Sequence, residues 1–245
     1  MKRKNAYLDD FIWEDALNAV KESTKFSSFD QFYEYLRGSL PQNSEESRRR
    51  AAANLVRWYF PLHTMDNLLT DVWKYYGDED LVKNLMRYLY LSNTPLVGEF
   101  ITSYVLPLEA ASQLKLQTVD DYVLSKRGTM SVKLRARLIT TVGRLGFIHR
   151  QKGNLTVIAL PLGGTAFLIL IHSIFAPEQR VVSLDEILTN PFWKYLGMRR
   201  EDDVRNLLRM ALRKGLIAKY VIADQLEQVN TRYTLKEILN RKTYL

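Results

Sequence analysis

Residues 131–160, SVKLRARLITTVGRLGFIHRQKGNLTVIAL, decide the fold. Up to Leu145 the apolar residues recur every three or four positions, which is the spacing of one helix face. Beyond Gly146 they alternate, which is the spacing of a strand buried on one side. Phe147-Ile148-His149-Arg150 and Leu155–Leu160 predict two short strands, and the Gln151-Lys152-Gly153-Asn154 cluster predicts the turn between them. A shorter helix is predicted just upstream, over Thr118–Val123. Helix, helix and a basic-tipped hairpin make up a winged helix-turn-helix.

The same order recurs downstream. Leu184–Leu188 predicts the short helix, Arg200–Lys214 the long one, and Gly215 the stop. Leu216–Ile222 and Val229–Tyr233 predict a second wing. Leu145-Gly146-Phe147-Ile148 and Lys214-Gly215-Leu216-Ile217 hold equivalent places, and the apolar run Thr165–Phe175 predicts the helix that opens the second copy.

Upstream of residue 113 the periodicity is helical. Phe11, Trp13, Ala16 and Val20 form one stripe, and Phe29, Phe32, Tyr33 and Leu36 another. Ser44 predicts the cap of a helix that runs to Tyr59 and is stopped by Pro61. Helices are predicted near 64–76 and 79–92, parted by Gly77-Asp78, and a long one from Pro95 to about residue 113. The expected fold is therefore mainly α, with a helical bundle over 1–113. A first winged helix follows over 114–162 and a second over 163–245, each with a short β-wing.

At 245 residues the chain exceeds a typical single domain, and 47% hydrophobic content supplies real cores. The absence of cysteine excludes disulfides, thiolate chemistry and cysteine-ligated zinc, and suits a reducing compartment. No secretory signal is readable at the basic N-terminus, so a cytoplasmic location is expected. Leu155–Phe175 lacks Asp, Glu, Lys and Arg, and a hydropathy window would flag it as a membrane span. Pro161-Leu162-Gly163-Gly164 breaks it at its middle, however, and the remaining eleven-residue helix covers only roughly half the hydrocarbon core. No membrane partner is expected.

The formal charge of +8 is unevenly distributed. Residues 1–116 hold 14 Lys/Arg against 16 Asp/Glu. Residues 117–180 hold 9 against 3, and residues 181–245 hold 12 against 8. The positive field therefore belongs to the C-terminal half, as a polyanion partner would require. On the first long helix Leu134, Leu138, Val142 and Leu145 form the core arc. Lys133, Arg137, Thr140 and Arg144 fall on another side, where arginine can pair with guanine and lysine or threonine can reach phosphate. Arg150 and Lys152, on the wing, are placed to grip the adjacent backbone. The competing reading is a solvated basic face on a domain that only docks other proteins.

The second long helix carries an Arg205, Arg209, Arg213 stripe, but Asp202 projects into its middle and Glu201 and Asp203 crowd the first turn. Acids there suit the helix dipole and would repel phosphate, so a structural or protein-contact role is expected. In the bundle, Arg50 and Arg57 share a face with Arg49 beside them. That face is read as solvated and partly neutralised, with Glu46 paired to Arg50; a secondary polyanion contact is the alternative. His63, His149 and His172 lack metal-type spacing, and His172 reads as a core residue. Leu162-Gly163-Gly164-Thr165 lacks the P-loop lysine and reads as a strand-to-helix turn. Asp9-Asp10 and Asp78-Glu79-Asp80 read as acids at helix starts. No catalytic residue, metal or cofactor is expected, and the chain is read as non-enzymatic.

Three stretches carry a family resemblance. Residues 44–57, SEESRRRAAANLVR, are similar to a helix with Ser/Thr followed by Arg and a second arginine further on. Residues 96–101, LVGEFI, are similar to a helix with leucine before an acidic-Phe pair. Leu138–Leu160 is similar to a helix, a Gly-aromatic-aliphatic junction and a final strand. Together, over residues 8–160, these resemble the BrxA proteins of BREX bacteriophage-defence clusters. The resemblance implies a cytoplasmic helical-bundle and winged-helix protein that binds DNA alongside other proteins of a phage-restriction system. The extra C-terminal winged helix departs from the family pattern. Two readings thus stand: a binder of double-stranded DNA in a defence or regulatory assembly, and an adaptor that uses its winged helices only to dock proteins.

Overall fold

In the computed structural model, which describes residues 8–10, 12–151, 153–223 and 226–245, the chain is mainly helical with two small antiparallel sheets. Phe11 and Lys152 lie outside the described residues. Five helices come first: α1 (Trp13–Ser23), α2 (Phe29–Ser39), α3 (Glu45–Tyr59), α4 (Leu68–Tyr76) and α5 (Glu79–Asn93). Local chemistry sets their ends. Ser28, Ser44 and Asn67 cap α2, α3 and α4 by accepting backbone N–H groups, and Asp78 Oδ1 accepts from Asp80 and Leu81 at the start of α5. Gly77 closes α4 with φ of 62°, a left-handed conformation that costs glycine nothing.

Helix α6 (Pro95–Phe100) departs from expectation: it continues only as a wide turn to Val105, well short of residue 113. Leu106 N–H reaches back to the Ile101 carbonyl, and Pro107 has no N–H with which to continue the ladder. Gln113–Leu114 is instead a strand, β1, too short to leave a period in the sequence. Next come α7 (Leu116–Arg127), α8 (Val132–Arg144), β2 (Ile148–Gln151) and β3 (Asn154–Val157). The last part holds α9 (Gly164–Ile174), β4 (Val181–Ser183), α10 (Leu184–Thr189), a 3-10 turn at Pro191–Leu196, and α11 (Glu201–Arg213). It ends with β5 (Ile217–Ala223), β6 (Leu226–Thr231) and α12 (Leu235–Asn240). The short β4, the 3-10 turn and α12 escaped sequence reading, and the second hairpin strand begins nearer the tip than expected.

One order of elements occurs twice: helix, strand, helix, helix, strand, strand. The sheet order is β1-β3-β2 in the first case and β4-β6-β5 in the second. In each the final strand is central, so a two-residue or three-residue strand far upstream closes its free edge.

The chain forms two compact units. The first comprises residues up to Ala19, Ser28–Thr64 and Leu89–Leu160; the second comprises Val20–Ser27, Met65–Tyr88 and Pro161–Leu245. Bundle segments thus contribute to both units. The first core is aromatic: Trp58 meets Tyr90 edge-on at 5.0 Å, and Phe100 meets Tyr122 at 5.0 Å, with the Tyr122 hydroxyl donating to the Leu96 carbonyl.

The second core is built round α9, whose residues Gly164–His172 are all buried. That explains the uncharged run without a bilayer, and no helix among the described residues is long and apolar enough to cross a membrane. Gly163 and Gly164 open α9 because side chains would not fit. A Cβ on Gly164 would lie 3.1 Å from the Leu245 carbonyl oxygen and 3.2 Å from Leu207 Cδ2.

His172 is completely buried on α9. Its Nδ1 donates to the Leu168 carbonyl at 2.8 Å, and Nε2 has no partner. Burial holds its pKa below the usual 6.5, against the weaker opposing effect of the Leu168 bond. The folded state therefore binds fewer protons there than the unfolded chain. This contribution to stability is complete above about pH 6.5 and is lost as pH falls below it. In urea melts between roughly pH 5 and pH 8, His172→Leu is expected to flatten the pH dependence. Removing the unpaired buried acceptor should add about 1 kcal/mol of stability at the acid end. An unchanged pH dependence would show that His172 is solvated in the folded state.

Candidate nucleic-acid interface

Helix α8 starts where Ser131 Oγ accepts the Leu134 N–H, and Leu134, Leu138, Ile139 and Val142 bury its inner face. Its outer face presents Val132, Lys133, Ala136, Thr140 and Arg144, all exposed. Small residues at its centre permit close approach by a groove wall, while Lys133 and Arg144 supply positive charge towards its two ends. Arg135, at the margin, pairs with Asp120 of α7 at 3.2 Å and locks the two helices together. Arg150 is exposed on β2, opposite Leu155 in the register that Gly153 allows by turning the hairpin at φ of 87°. Lys152, expected beside it, lies outside the described residues.

Arg137 is placed differently from the sequence expectation. Its side chain is only 15% exposed, donating to the Leu8 carbonyl at 2.7 Å and to Asp10 at 2.6 Å. Rotation alone puts it at the edge of the basic arc, but the N-terminal segment covers that edge. Asp9 and Asp10 are accordingly not first-turn acids of α1, which begins at Trp13. Asp9 receives Arg57 at 2.8 Å and Arg50 at 3.4 Å, so the neutralisation expected from Glu46, one turn away, comes instead from a carboxylate distant in sequence. Arg49 is exposed next to them. Arg48 is held by the Arg37 and Gln42 carbonyls and serves the fold.

The run of sequence that builds the face carries no acid, although Asp10, Asp15 and Asp120 from outside it reach Arg137, Arg144 and Arg135. No Asp or Glu occurs between Asp121 and Glu178, a run that contains all of α8 and the β2–β3 hairpin. The carboxylate coupled to Arg144 is Asp15; its burial raises its pKa, and Arg144 pulls it back down. Sequence reading by helix face did not single out Arg127, exposed at the end of α7 and bonded to Ser131 Oγ at 3.0 Å. The acid-free run was the signal that could have found it.

The second repeat carries the opposite pattern. Arg205 on α11 pairs with Glu201 at 3.2 Å, Asp202 at 3.6 Å and Glu227 of β6 at 3.0 Å. The Tyr220 hydroxyl, which also bonds Glu227, and Arg205 together hold that carboxylate below its usual range. The tyrosine itself is pushed up to about 12, mainly by burial. Arg205 is therefore committed inside the protein, in line with the acids that crowd its helix. Elsewhere on α11, Leu207, Met210 and Leu212 line a cavity of about 540 Å³ together with Leu162, Asp203, Asn206, Arg209 and Arg213. No group of three or more His, Asp or Glu side chains converges among the described residues.

Comparison with known protein families, with curated proteins and with solved structures finds no match.

Proposed function

We propose that the chain is a non-enzymatic binder of duplex DNA, whose α7–α8 pair and β2–β3 hairpin act as a winged helix-turn-helix. One observation carries this reading. Lys133, Thr140 and Arg144 lie open on one helix face, and Arg150 lies on the hairpin that follows, within a stretch devoid of carboxylates. A thirteen-residue helix about 20 Å long fits the roughly 12 Å wide major groove, and a hairpin beside it reaches the flanking phosphates. The contacts fall mostly on phosphates, so sequence preference is modest. The resemblance to BrxA proteins supports a place in a cytoplasmic phage-defence or regulatory assembly with other proteins. The second repeat, with Arg205 internally paired, suits protein docking, with the mixed apolar and charged cavity along α11 as its surface.

The test is fluorescence anisotropy with a labelled duplex of about two helical turns over a salt series. With three to four phosphate contacts, log affinity should fall against log salt with a slope of roughly −3. Absence of binding even at low salt would favour the alternative, an adaptor whose repeats dock proteins only.

A further inference from the structure

The N-terminal segment places two adjacent carboxylates on arginines drawn from two different helices. Asp9 bridges Arg50 and Arg57 of α3, and Asp10 holds Arg137 of α8. The Asp9 carboxylate is well embedded, with its side chain 11% exposed, whereas Asp10 is 77% exposed. Leu8 is buried beneath them and its carbonyl takes a second bond from Arg137. The segment is nevertheless loosely seated: a cavity of about 250 Å³ remains between Asp9, Asp10 and Ile12 on one side and Gln42, Ser47, Arg50 and Asn54 on the other. The Asp10 pair is partly exposed and therefore salt-screened, whereas Asp9 and Leu8 are embedded.

The arrangement has a specific chemical meaning. Two successive anionic groups on a non-helical segment, each received by guanidinium groups, present what successive phosphates of a nucleic-acid strand would present. Arg137 also belongs to the helix whose outer face carries Lys133 and Arg144, so the covered cluster borders the open face. We propose that Arg50, Arg57 and Arg137 form a second phosphate-binding surface, and that the Asp9-Asp10 strap masks it by occupying the places of two phosphates. The strap limits the protein to the smaller footprint of the open face until it is displaced. The inference rests on the DNA-binding reading above.

Replacing Asp9 and Asp10 by asparagine removes the mimicry and keeps the strap's shape. In the same anisotropy assay, Asp9→Asn/Asp10→Asn is expected to bind duplex about tenfold more tightly at moderate salt. Its slope of log affinity against log salt should be steeper by about two units, since the arginines now release counterions from phosphate. The gain should vanish when Arg57→Ala and Arg137→Ala are added. Should the double variant melt early by circular dichroism, Asp10→Asn alone gives the readout, because Asp10 is mostly exposed and Arg137 keeps its Leu8 bond. If wild type binds and the strap variants bind no better, the strap proposal is overturned and the DNA-binding reading stands. If wild type is silent and the strap variants bind, the masked arginines carry the DNA and the open face of α8 does not, which upholds the strap and overturns the open-face reading. Silence from all of them overturns both.

Discussion

Replacing Lys133, Arg144 and Arg150 together by alanine is expected to weaken duplex-DNA binding by roughly 3–6 kcal/mol, taking about 1–2 for each charge-assisted contact. That corresponds to a loss of about two to four orders of magnitude in affinity. The salt dependence should flatten by nearly three units, because three fewer counterions are released on binding. All three side chains are exposed, but Arg144 also couples to Asp15, so melting temperature is measured alongside binding to separate loss of contact from loss of stability. The control is Arg205→Ala/Arg209→Ala. Arg205 is already engaged by Glu201, Asp202 and Glu227, so this pair should cost less than about 1 kcal/mol of binding. If the control abolishes binding and the triple variant binds normally, the wrong repeat carries the DNA. Arg137 is left out of the triple variant because its guanidinium serves Asp10 and Leu8, and its removal would mix strap release with loss of contact.

Leu138→Ala is the second large effect, and it acts on stability. Leu138 lies on the inner face of α8 with no exposed surface. Truncation removes buried methyl groups and leaves a cavity, which costs about 2–5 kcal/mol. Thr140 stands two positions on and faces outward, so Thr140→Ala should stay within about 0.5 kcal/mol. Urea unfolding followed by far-ultraviolet circular dichroism measures both. Equal effects would mean that α8 is rotated from the orientation described, and the outward placement of Lys133 and Arg144 would fall with it.

The end of each long helix at Gly146 and Gly215 was legible, and the returning strands β3 and β6 bury alternate residues, whereas β2 and β5 bury only their first residues and carry no period of two. The helix cap at Ser44 was legible because a side-chain oxygen meets an N–H group three residues away. The inner and outer faces of α8 followed from rotation alone. Acids that neutralise Arg205 from within its own helix could be read from their spacing of three and four residues.

Only the tertiary structure decided what depends on distant segments. Gln113–Leu114 and Val181–Ser183 are strands because a long-range partner, β3 or β6, supplies their hydrogen bonds; two or three residues carry no period of their own. Segments of the N-terminal bundle divide between two compact units because burial follows spatial neighbours rather than order along the chain. The fate of the arginines followed the same rule. The local sequence determined which face of α8 is basic. Whether a given cation on it meets solvent or a carboxylate depended on where residues 8–10 came to rest, more than a hundred positions upstream of Arg137. A charge pairs with whatever group lies within a few ångströms, whatever the separation in sequence.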